Sequence, residues 1–167
     1  MEATLQVLAE LETTGIISRY AIGGAVGAIF YIEPFLTYDL DIFVVLPQTS
    51  SGLLTLSSIY DELKQRGYLT EAECILIEGV PVQFLPAYNP LLEEALAEAQ
   101  LLPYGELQTR VIRPEHLVAI MVQTGRHKDR QRFSMFMEQA TMNNFSLQEI
   151  LIRYQLEERF HKWRIEN

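Results

Sequence analysis

Apolar residues recur every three or four positions over much of the chain, as in Leu5, Leu8 and Leu11. This spacing places apolar side chains on one face of an α-helix and predicts amphipathic helices. The predicted helices cover residues 4–13, 25–31, 53–66 and 91–99, a segment from Pro114 to Gly125, a segment through Phe133 and Ala140, and a last helix over 147–154 whose extension to Trp163 stays open.

Short runs of β-forming residues separate the early helices. The run over 38–46 ends in Ile42, Phe43, Val44 and Val45, which are residue types that favour strands. The predicted strands cover residues 19–22, 38–46, 74–77, 80–85 and 107–112, and Glu78-Gly79 joins the third and fourth as a hairpin.

Strands therefore concentrate in the first two thirds of the chain, and helices follow. This order predicts an α/β (α+β) fold with a small mixed β-sheet flanked by helices. We expect one domain over 1–167, with a sheet-containing core at 1–112 and a helical C-terminal part at 113–167, because 167 residues suit a single hydrophobic core.

Composition narrows the class of protein. With 49% hydrophobic and 21% charged residues, the chain is neither disordered nor fibrous. Cys74 is the single cysteine, which excludes an intrachain disulfide and a cysteine metal cluster. No apolar run is long enough to span a membrane, and the first ten residues lack the basic start of a secretory signal. We therefore predict a cytoplasmic protein without a membrane partner.

Two aspartates stand out on the strand predicted at 38–46. Because side chains alternate along a strand, Asp39 and Asp41 share one face while Leu40 and Ile42 point into the core. The two carboxylates lie roughly 7 Å apart along that face, and they repel each other when both are ionised. A divalent cation with oxygen ligands such as Mg²⁺ would relieve the repulsion. A solvated strand edge is the alternative interpretation.

A Gly23-Gly24 turn lies between the first strand and the short helix before these aspartates. Glycines there would let the backbone approach a ligand closely, and the helix start would offer N–H groups to a phosphate. Either motif alone is common, since Gly-Gly usually marks only a turn. The order of strand, Gly-Gly, short helix and Thr-x-Asp-x-Asp is much more specific.

The segment Ile22-Gly23-Gly24 followed by Asp39-Leu40-Asp41 resembles the signature of the nucleotidyltransferase superfamily, the fold of DNA polymerase β and the minimal nucleotidyltransferases. Residues 111–117 and 125–129 are similar to the strand, Pro-Glu helix and Arg-x-Lys-Asp run of the abortive-infection toxin branch. The resemblance covers roughly residues 19–140. It implies transfer of a nucleoside monophosphate from a nucleoside triphosphate to a hydroxyl on RNA, protein or a small molecule.

The resemblance also implies a set of functional residues. Asp39 and Asp41 would be ligands of Mg²⁺ or Mn²⁺ and catalytic residues. The remaining predicted residues are Lys128 and Asp129 in catalysis, and Gly23, Gly24, Thr37, Arg126 and Lys128 in nucleotide binding. Whether a cognate antitoxin or a homodimer partner exists stays open.

Gln83 departs from the family pattern. Many members carry a third carboxylate at the position that Gln83 occupies in Val80-Pro81-Val82-Gln83-Phe84-Leu85. Glutamine is neutral and cannot act as a general base. Three alternatives follow: Asp129 supplies the missing acid, catalysis is weak, or the site only binds. Alternation with Val80 and Val82 predicts that Gln83 lies near the two aspartates.

The net charge of −9 makes the chain a poor general binder of nucleic-acid backbones. Its cations nevertheless cluster, at Arg110, Arg113, Arg126, Lys128, Arg130 and Arg132. We predict that Arg126 and Lys128 face the aspartates and contact a triphosphate, because the first hundred residues contain few other cations. Solvated helix charges are the alternative for the cluster, particularly for Arg130 and Arg132.

Overall fold

The computed structural model describes residues 1–47 and 55–166. Over these ranges the chain forms seven strands and eight helices. The strands are β1 (Arg19–Ile22), β2 (Leu40–Val45), β3 (Leu69–Glu71), β4 (Cys74–Ile77), β5 (Val80–Pro86), β6 (Gln100–Tyr104) and β7 (Leu107–Val111). The helices are α1 (Glu2–Thr13), α2 (Gly24–Ile29), α3 (Ser57–Gln65), α4 (Pro90–Ala97), α5 (Pro114–Thr124), α6 (His127–Gln139), α7 (Asn144–Arg153) and α8 (Glu157–Glu166).

The strands form one mixed sheet in the order β3-β4-β5-β2-β1-β7-β6. Strand β2 lies at its centre, antiparallel to β1 and parallel to β5. Strand β1 pairs in parallel with β7, and the outer strands β3 and β6 pair antiparallel with β4 and β7. The predicted small mixed sheet flanked by helices is therefore confirmed.

Helices cover both faces of this sheet. Leu8 of α1 and Leu63 of α3 pack with Leu40 and Ile42 of β2 in one apolar core. On the other face, α4 to α8 pack around Phe43 in a second core that contains Trp163. Residues that alternate along β2 thus belong to opposite cores, as the period of two predicts. Asp41 and Phe43 both point to the face that α5 and α6 cover.

Several predicted elements are confirmed. Strand β1 and the β4–β5 hairpin match the predictions closely, and α5 begins at Pro114 and ends at Thr124, just before Gly125, which has a left-handed φ of 70°. Pro114 fits the first helical position because its missing N–H needs no partner there. The predicted helix over 53–66 is shorter, starting at Ser57, and its first two predicted residues lie outside the described ranges.

Other predictions were wrong. Strand β2 begins at Leu40 instead of residue 38, so Asp39 precedes the strand. The two edge strands β3 and β6 were not predicted at all. The extension of the last helix to Trp163, which the sequence left open, is a separate helix. Gln155 adopts a positive φ of 57°, which ends α7 and separates it from α8.

A partly buried polar network joins α4, α5 and α7. Glu94 of α4 contacts His116 of α5 through Oε1 and Nε2, which lie 3.2 Å apart. It also accepts hydrogen bonds from Arg153 and from the Tyr154 hydroxyl, the latter at 2.6 Å. His116 is completely buried, and burial lowers the pKa of its imidazole although Glu94 and Glu98 oppose this shift.

We expect stability to fall as the pH drops below about 6.5, the ordinary pKa of histidine. Because the folded state holds His116 neutral, the unfolded state binds more protons in this window. The loss continues down to the lowered pKa of the folded protein, with a slope of at most about 1.4 kcal/mol per pH unit. His116→Gln should flatten this slope in urea unfolding at a series of pH values. His161→Gln, at an exposed position, is the control and should leave the slope unchanged.

Within the described residues, no helix has both the length and the apolar character needed to cross a membrane.

Candidate active site

Pairing of the central strands brings together the polar residues that the sequence singled out. In the parallel register of β2 and β5, Asp41 lies opposite Gln83. The prediction that Gln83 lies beside the aspartates on the neighbouring strand is therefore confirmed. The backbone amide of Gly23 donates a hydrogen bond to the carbonyl of Asp41 at 3.0 Å, which fixes the Gly-Gly turn to the same strand.

A cavity of about 330 Å³ opens over these strands. Its volume is at the lower end of the range for small-ligand pockets. Its lining combines carboxylates with cations from the start of α6. The residues that line it are Gly24, Asp39, Asp41, Phe43, Glu73, Gln83, Leu85, Leu117, Ile120, Met121, Arg126, Lys128, Asp129 and Arg132.

The surroundings of Asp41 disfavour the charged form of its carboxylate. Burial raises the pKa of Asp41, and the neighbouring charge of Asp39 raises it further. Arg126, Lys128 and Arg132 act in the opposite direction and lower the pKa of Asp41. The two aspartates repel each other as the sequence indicates, and the cations across the cavity offset only part of this cost.

The two glycines have different environments. Gly24 lines the cavity with a φ of +53°, and a Cβ there would overlap the carboxylate of Asp41. Gly23 lies behind the cavity wall, where a Cβ would overlap the ring of Phe43. Gly24 therefore permits close approach of backbone and carboxylate, whereas Gly23 permits packing of the turn on Phe43.

We expect Gly24→Ala to destabilise the protein by about 1–3 kcal/mol, because a non-glycine residue at positive φ is strained and its Cβ must displace Asp41. Thermal unfolding measures this loss as about 2–4 °C per kcal/mol for a chain of this size. Gly15→Ala is the matched control, since Gly15 also has a positive φ, +76°, with nothing within 4 Å of the added Cβ. Equal losses in both variants would show that contact with Asp41 does not matter.

Asp129 is held by the arginine that begins its own helix. It is 1% exposed and accepts hydrogen bonds from the Arg126 backbone N–H at 3.2 Å and Nε at 2.8 Å. Arg126 Nη2 donates to its second oxygen at 3.2 Å, and Arg132 Nη1 lies 4.0 Å from that oxygen. Asp129 thus gives the Arg126 backbone N–H at the start of α6 a hydrogen-bond acceptor. The same carboxylate orients the Arg126 guanidinium at the edge of the cavity.

The remaining cations of the cluster divide into two groups. Lys128 is exposed at the cavity, and it forms no salt bridge within the described part of the chain. Arg132 also lines the cavity and stacks on Phe35 at 5.4 Å, which the sequence did not indicate. Arg130 instead pairs with Glu166 at 3.1 Å and lies over the ring of Trp163.

Arg110 and Arg113 also lie elsewhere. Arg110 pairs with Glu12 at 2.7 Å, and Arg113 pairs with Glu98 at 2.9 Å. Neither residue lines the cavity over Asp41. The basic stretch of the sequence therefore separates in space, and the cations that reach this cavity come from Arg126 and the first two turns of α6.

Arg159 of the last helix contacts the turn at Gly125, which precedes these cations. Gly125 has a left-handed φ of 70°, and a Cβ there would overlap the guanidinium of Arg159. Arg159 of α8 donates a hydrogen bond from Nη1 to the carbonyl of Gln123 at 3.0 Å. The junction between α5 and α6 is thus fixed by a residue more than thirty positions later in the chain.

Thr37 lies outside the main cavity. Its hydroxyl donates to the carbonyl of Asp39 at a long 3.4 Å, and it lines a smaller, mostly apolar cavity of about 110 Å³ with Met1, Val26 and Tyr38. Asp39 lines both cavities, so this second space adjoins the main one. A direct nucleotide contact of Thr37 stays a prediction.

Glu73 is the carboxylate at the cavity that sequence reasoning missed. It lies in the turn between β3 and β4, and its Oε2 accepts a hydrogen bond from Gln83 Nε2 at 3.1 Å. Gln83 therefore stands between a carboxylate from the turn and Asp41 on the neighbouring strand. No motif surrounds Glu73, so only the three-dimensional arrangement reveals it.

Comparison with known proteins identifies the fold. No protein-family model matches the chain, and no curated protein sequence matches it significantly. Among solved structures, it is similar to an antigenic nucleotidyltransferase-like protein from Paracoccidioides brasiliensis. The TM-score is 0.60 at 14% identity, over 94% of this chain and 90% of that chain. The chain therefore has a nucleotidyltransferase-like fold, and the resemblance to the abortive-infection branch stays a prediction.

Proposed function

We propose that this protein is a Mg²⁺-dependent nucleotidyltransferase, which transfers a nucleoside monophosphate from a nucleoside triphosphate to a hydroxyl acceptor and releases pyrophosphate. The observation that supports it most is the cavity itself. Its lining brings Asp39 and Asp41 together with Arg126, Lys128 and Arg132. This combination of carboxylates and cations suits a metal–triphosphate complex, and the nucleotidyltransferase-like fold agrees with it.

The carboxylates fit a divalent cation. Asp41 is half-buried, and its burial and the charge of Asp39 both raise its pKa, so a bound cation would relieve a cost already present. The described residues contain no cluster of three or more histidine, cysteine or acidic ligands. Two carboxylates suit Mg²⁺ or Mn²⁺, because Mg²⁺ commonly keeps waters and takes substrate phosphates as its other ligands. The bound metal would neutralise charge on the attacking and leaving oxygens.

The cations would bind the phosphates. Nucleotidyl transfer builds negative charge on the α-phosphate oxygens and on the departing pyrophosphate, and fixed cations stabilise that charge. Lys128 is exposed for such a contact, and Asp129 holds the Arg126 guanidinium in one orientation. Gly24 leaves room for the carboxylate of Asp41, which a Cβ at this position would overlap.

The resemblance of residues 111–117 and 125–129 to abortive-infection toxins supports a toxin-type role within this proposal. The acceptor would then be a hydroxyl of RNA, protein or a small molecule in the same cell. A cognate antitoxin or a second copy of the chain would be the protein partner.

Label transfer tests the activity. The protein is incubated with Mg²⁺ and each of four α-³²P-labelled nucleoside triphosphates, together with total RNA and protein extract. The proposal requires transfer of label to one class of acceptor and release of pyrophosphate. Asp41→Asn should abolish both, and Asp61→Asn, an exposed aspartate on α3, should change neither.

Gln83 favours a second candidate function, in which the protein binds a nucleotide or a partner without transferring it. An amide replaces the carboxylate that many relatives of this fold carry at this position. Under this alternative, Mg²⁺ and nucleotide together would raise the melting temperature, yet no label would leave the nucleotide. The same samples therefore separate the two functions.

A further inference from the structure

Nucleotidyl transfer to a hydroxyl needs a group that removes the hydroxyl proton, and this inference rests on the proposed function. A carboxylate can accept the proton, whereas the amide of Gln83 cannot. The carboxylates that line the cavity are Asp39, Asp41, Glu73 and Asp129. Their surroundings differ enough to assign them different roles.

Asp129 is unsuited to accept a proton. Its carboxylate is 1% exposed and accepts three hydrogen bonds from Arg126, with Arg132 4.0 Å away. Both of its oxygens already accept hydrogen bonds from Arg126, so a hydroxyl proton could reach Asp129 only by displacing that guanidinium. We therefore assign Asp129 to positioning of Arg126, although the sequence suggested it as a substitute acid.

Asp39 and Asp41 are also unsuited. They repel each other, and they are the two carboxylates that a divalent cation would occupy. Asp41 in addition lies so close to Gly24 that a Cβ there would overlap it, which restricts access from that side. Neither aspartate is thus left to take a proton from an acceptor.

Glu73 has the opposite properties. It is exposed at the rim of the cavity, where an acceptor would enter and where a proton can pass to solvent. Its hydrogen-bond partner is the neutral amide of Gln83, at 3.1 Å, instead of a guanidinium. The amide donates to Oε2 without neutralising the carboxylate, and Gln83 is itself fixed by its strand pairing with Asp41.

We propose that Glu73 is the general base of the transfer and that Gln83 is its positioning residue. The Glu73 carboxylate accepts the proton of the acceptor hydroxyl as that oxygen forms a bond to the α-phosphorus. The bond from the α-phosphorus to the bridging oxygen breaks, and pyrophosphate leaves with the electron pair. Glu73 then releases its proton to solvent.

The test compares Glu73→Gln with Glu71→Gln, an exposed glutamate two positions earlier that does not line the cavity. Pyrophosphate release is measured with the four nucleoside triphosphates and Mg²⁺, with water or total cell extract as the acceptor. Loss of a general base should slow release by about 10²–10⁴-fold. The acid limb of the pH–rate profile should lose one titrating group in Glu73→Gln, because only Asp39 and Asp41 remain to be deprotonated, and Glu71→Gln should match the wild-type protein.

Binding provides a readout that does not depend on turnover. The affinity of Glu73→Gln for an α,β-methylene nucleotide with Mg²⁺ should stay within about twofold of the wild-type value, because a base acts in the transition state. A large loss of this affinity would instead make Glu73 a ligand of the metal–nucleotide complex and overturn its role as a base.

Gln83→Leu tests the positioning role. It removes the hydrogen bond to Oε2 but leaves the carboxylate, so release should slow by less than in Glu73→Gln, and the acid limb should shift without losing a titrating group. A pH–rate profile of Gln83→Leu that matches the wild-type profile would overturn the positioning role of Gln83.

If Glu73→Gln keeps the wild-type rate and profile while Asp41→Asn is inactive, Glu73 is not the base and the proposed function stands. Absence of release and label transfer in the wild-type protein would overturn both.

Discussion

Asp41→Asn is expected to abolish Mg²⁺-dependent nucleotide binding while leaving the fold intact. Removing a side chain that only orients a metal ligand costs about 10–100-fold in metal affinity, so loss of a ligand itself should exceed about 100-fold. Without metal, the melting temperature should stay constant or rise. Burial and Asp39 raise the pKa of Asp41, which means that its charged form destabilises the folded state and that a neutral amide removes this cost.

The pH dependence follows from the same shift. Because the folded protein binds a proton on Asp41 more readily than the unfolded chain does, this group adds stability as the pH falls through its raised pKa. Asp41→Asn should lose that acid-side gain, measured by thermal unfolding without metal from pH 7 to pH 4. Asp61→Asn on α3 serves as the control. A marked drop in melting temperature for both Asp39→Asn and Asp41→Asn would identify the pair as structural.

Lys128→Glu is expected to weaken nucleotide affinity by about 100-fold or more. A hydrogen bond to a charged group contributes about 1.5–3 kcal/mol, and each 1.4 kcal/mol is a factor of ten in affinity. Reversal of the charge adds repulsion between the new carboxylate and the phosphates. Because Lys128 is exposed and has no salt bridge within the described residues, the melting temperature should change little. Titration calorimetry with a non-hydrolysable triphosphate measures the affinity.

Arg130→Glu is the matched control for this prediction. Arg130 lies two residues further on the same helix, but it pairs with Glu166 and stacks on Trp163 away from the cavity. Its reversal should leave nucleotide affinity unchanged. Arg126→Glu is less informative, because it also places a second carboxylate against buried Asp129 and should lower stability. Similar small effects of Lys128→Glu and Arg130→Glu would remove Lys128 from the binding site.

Much of the fold and of the acidic side could be predicted from local patterns. Asp41 and Gln83 lie on strands with clear alternation, and their neighbours Ile42 and Val82 are buried as that alternation requires. Parallel pairing of β2 with β5 then places the two residues opposite each other. Local periodicity determines which face a residue occupies, and this was sufficient here.

The missed elements lack such a pattern. Strand β3 has three exposed residues, Leu69–Glu71, so its sequence shows no buried face. Strand β6 contains Pro103, which argues against a strand except at a sheet edge, where β6 in fact lies. Glu73 reaches the cavity only because the β3–β4 turn folds beside Gln83. Asp129 could have been interpreted as a capping residue, since it lies three positions after Arg126.

The hydrogen bond from Arg159 to the turn before Gly125 connects nucleotide binding to the packing of α8 on the rest of the chain. If cations after Gly125 bind phosphate, a nucleotide favours the conformation in which Arg159 contacts Gln123. Thermodynamic linkage then makes the coupling reciprocal. A partner that pulled α8 from the body would lower nucleotide affinity, and bound nucleotide would resist that partner by the same free energy. The C-terminal helix would thus act as an allosteric element of a site that it does not line.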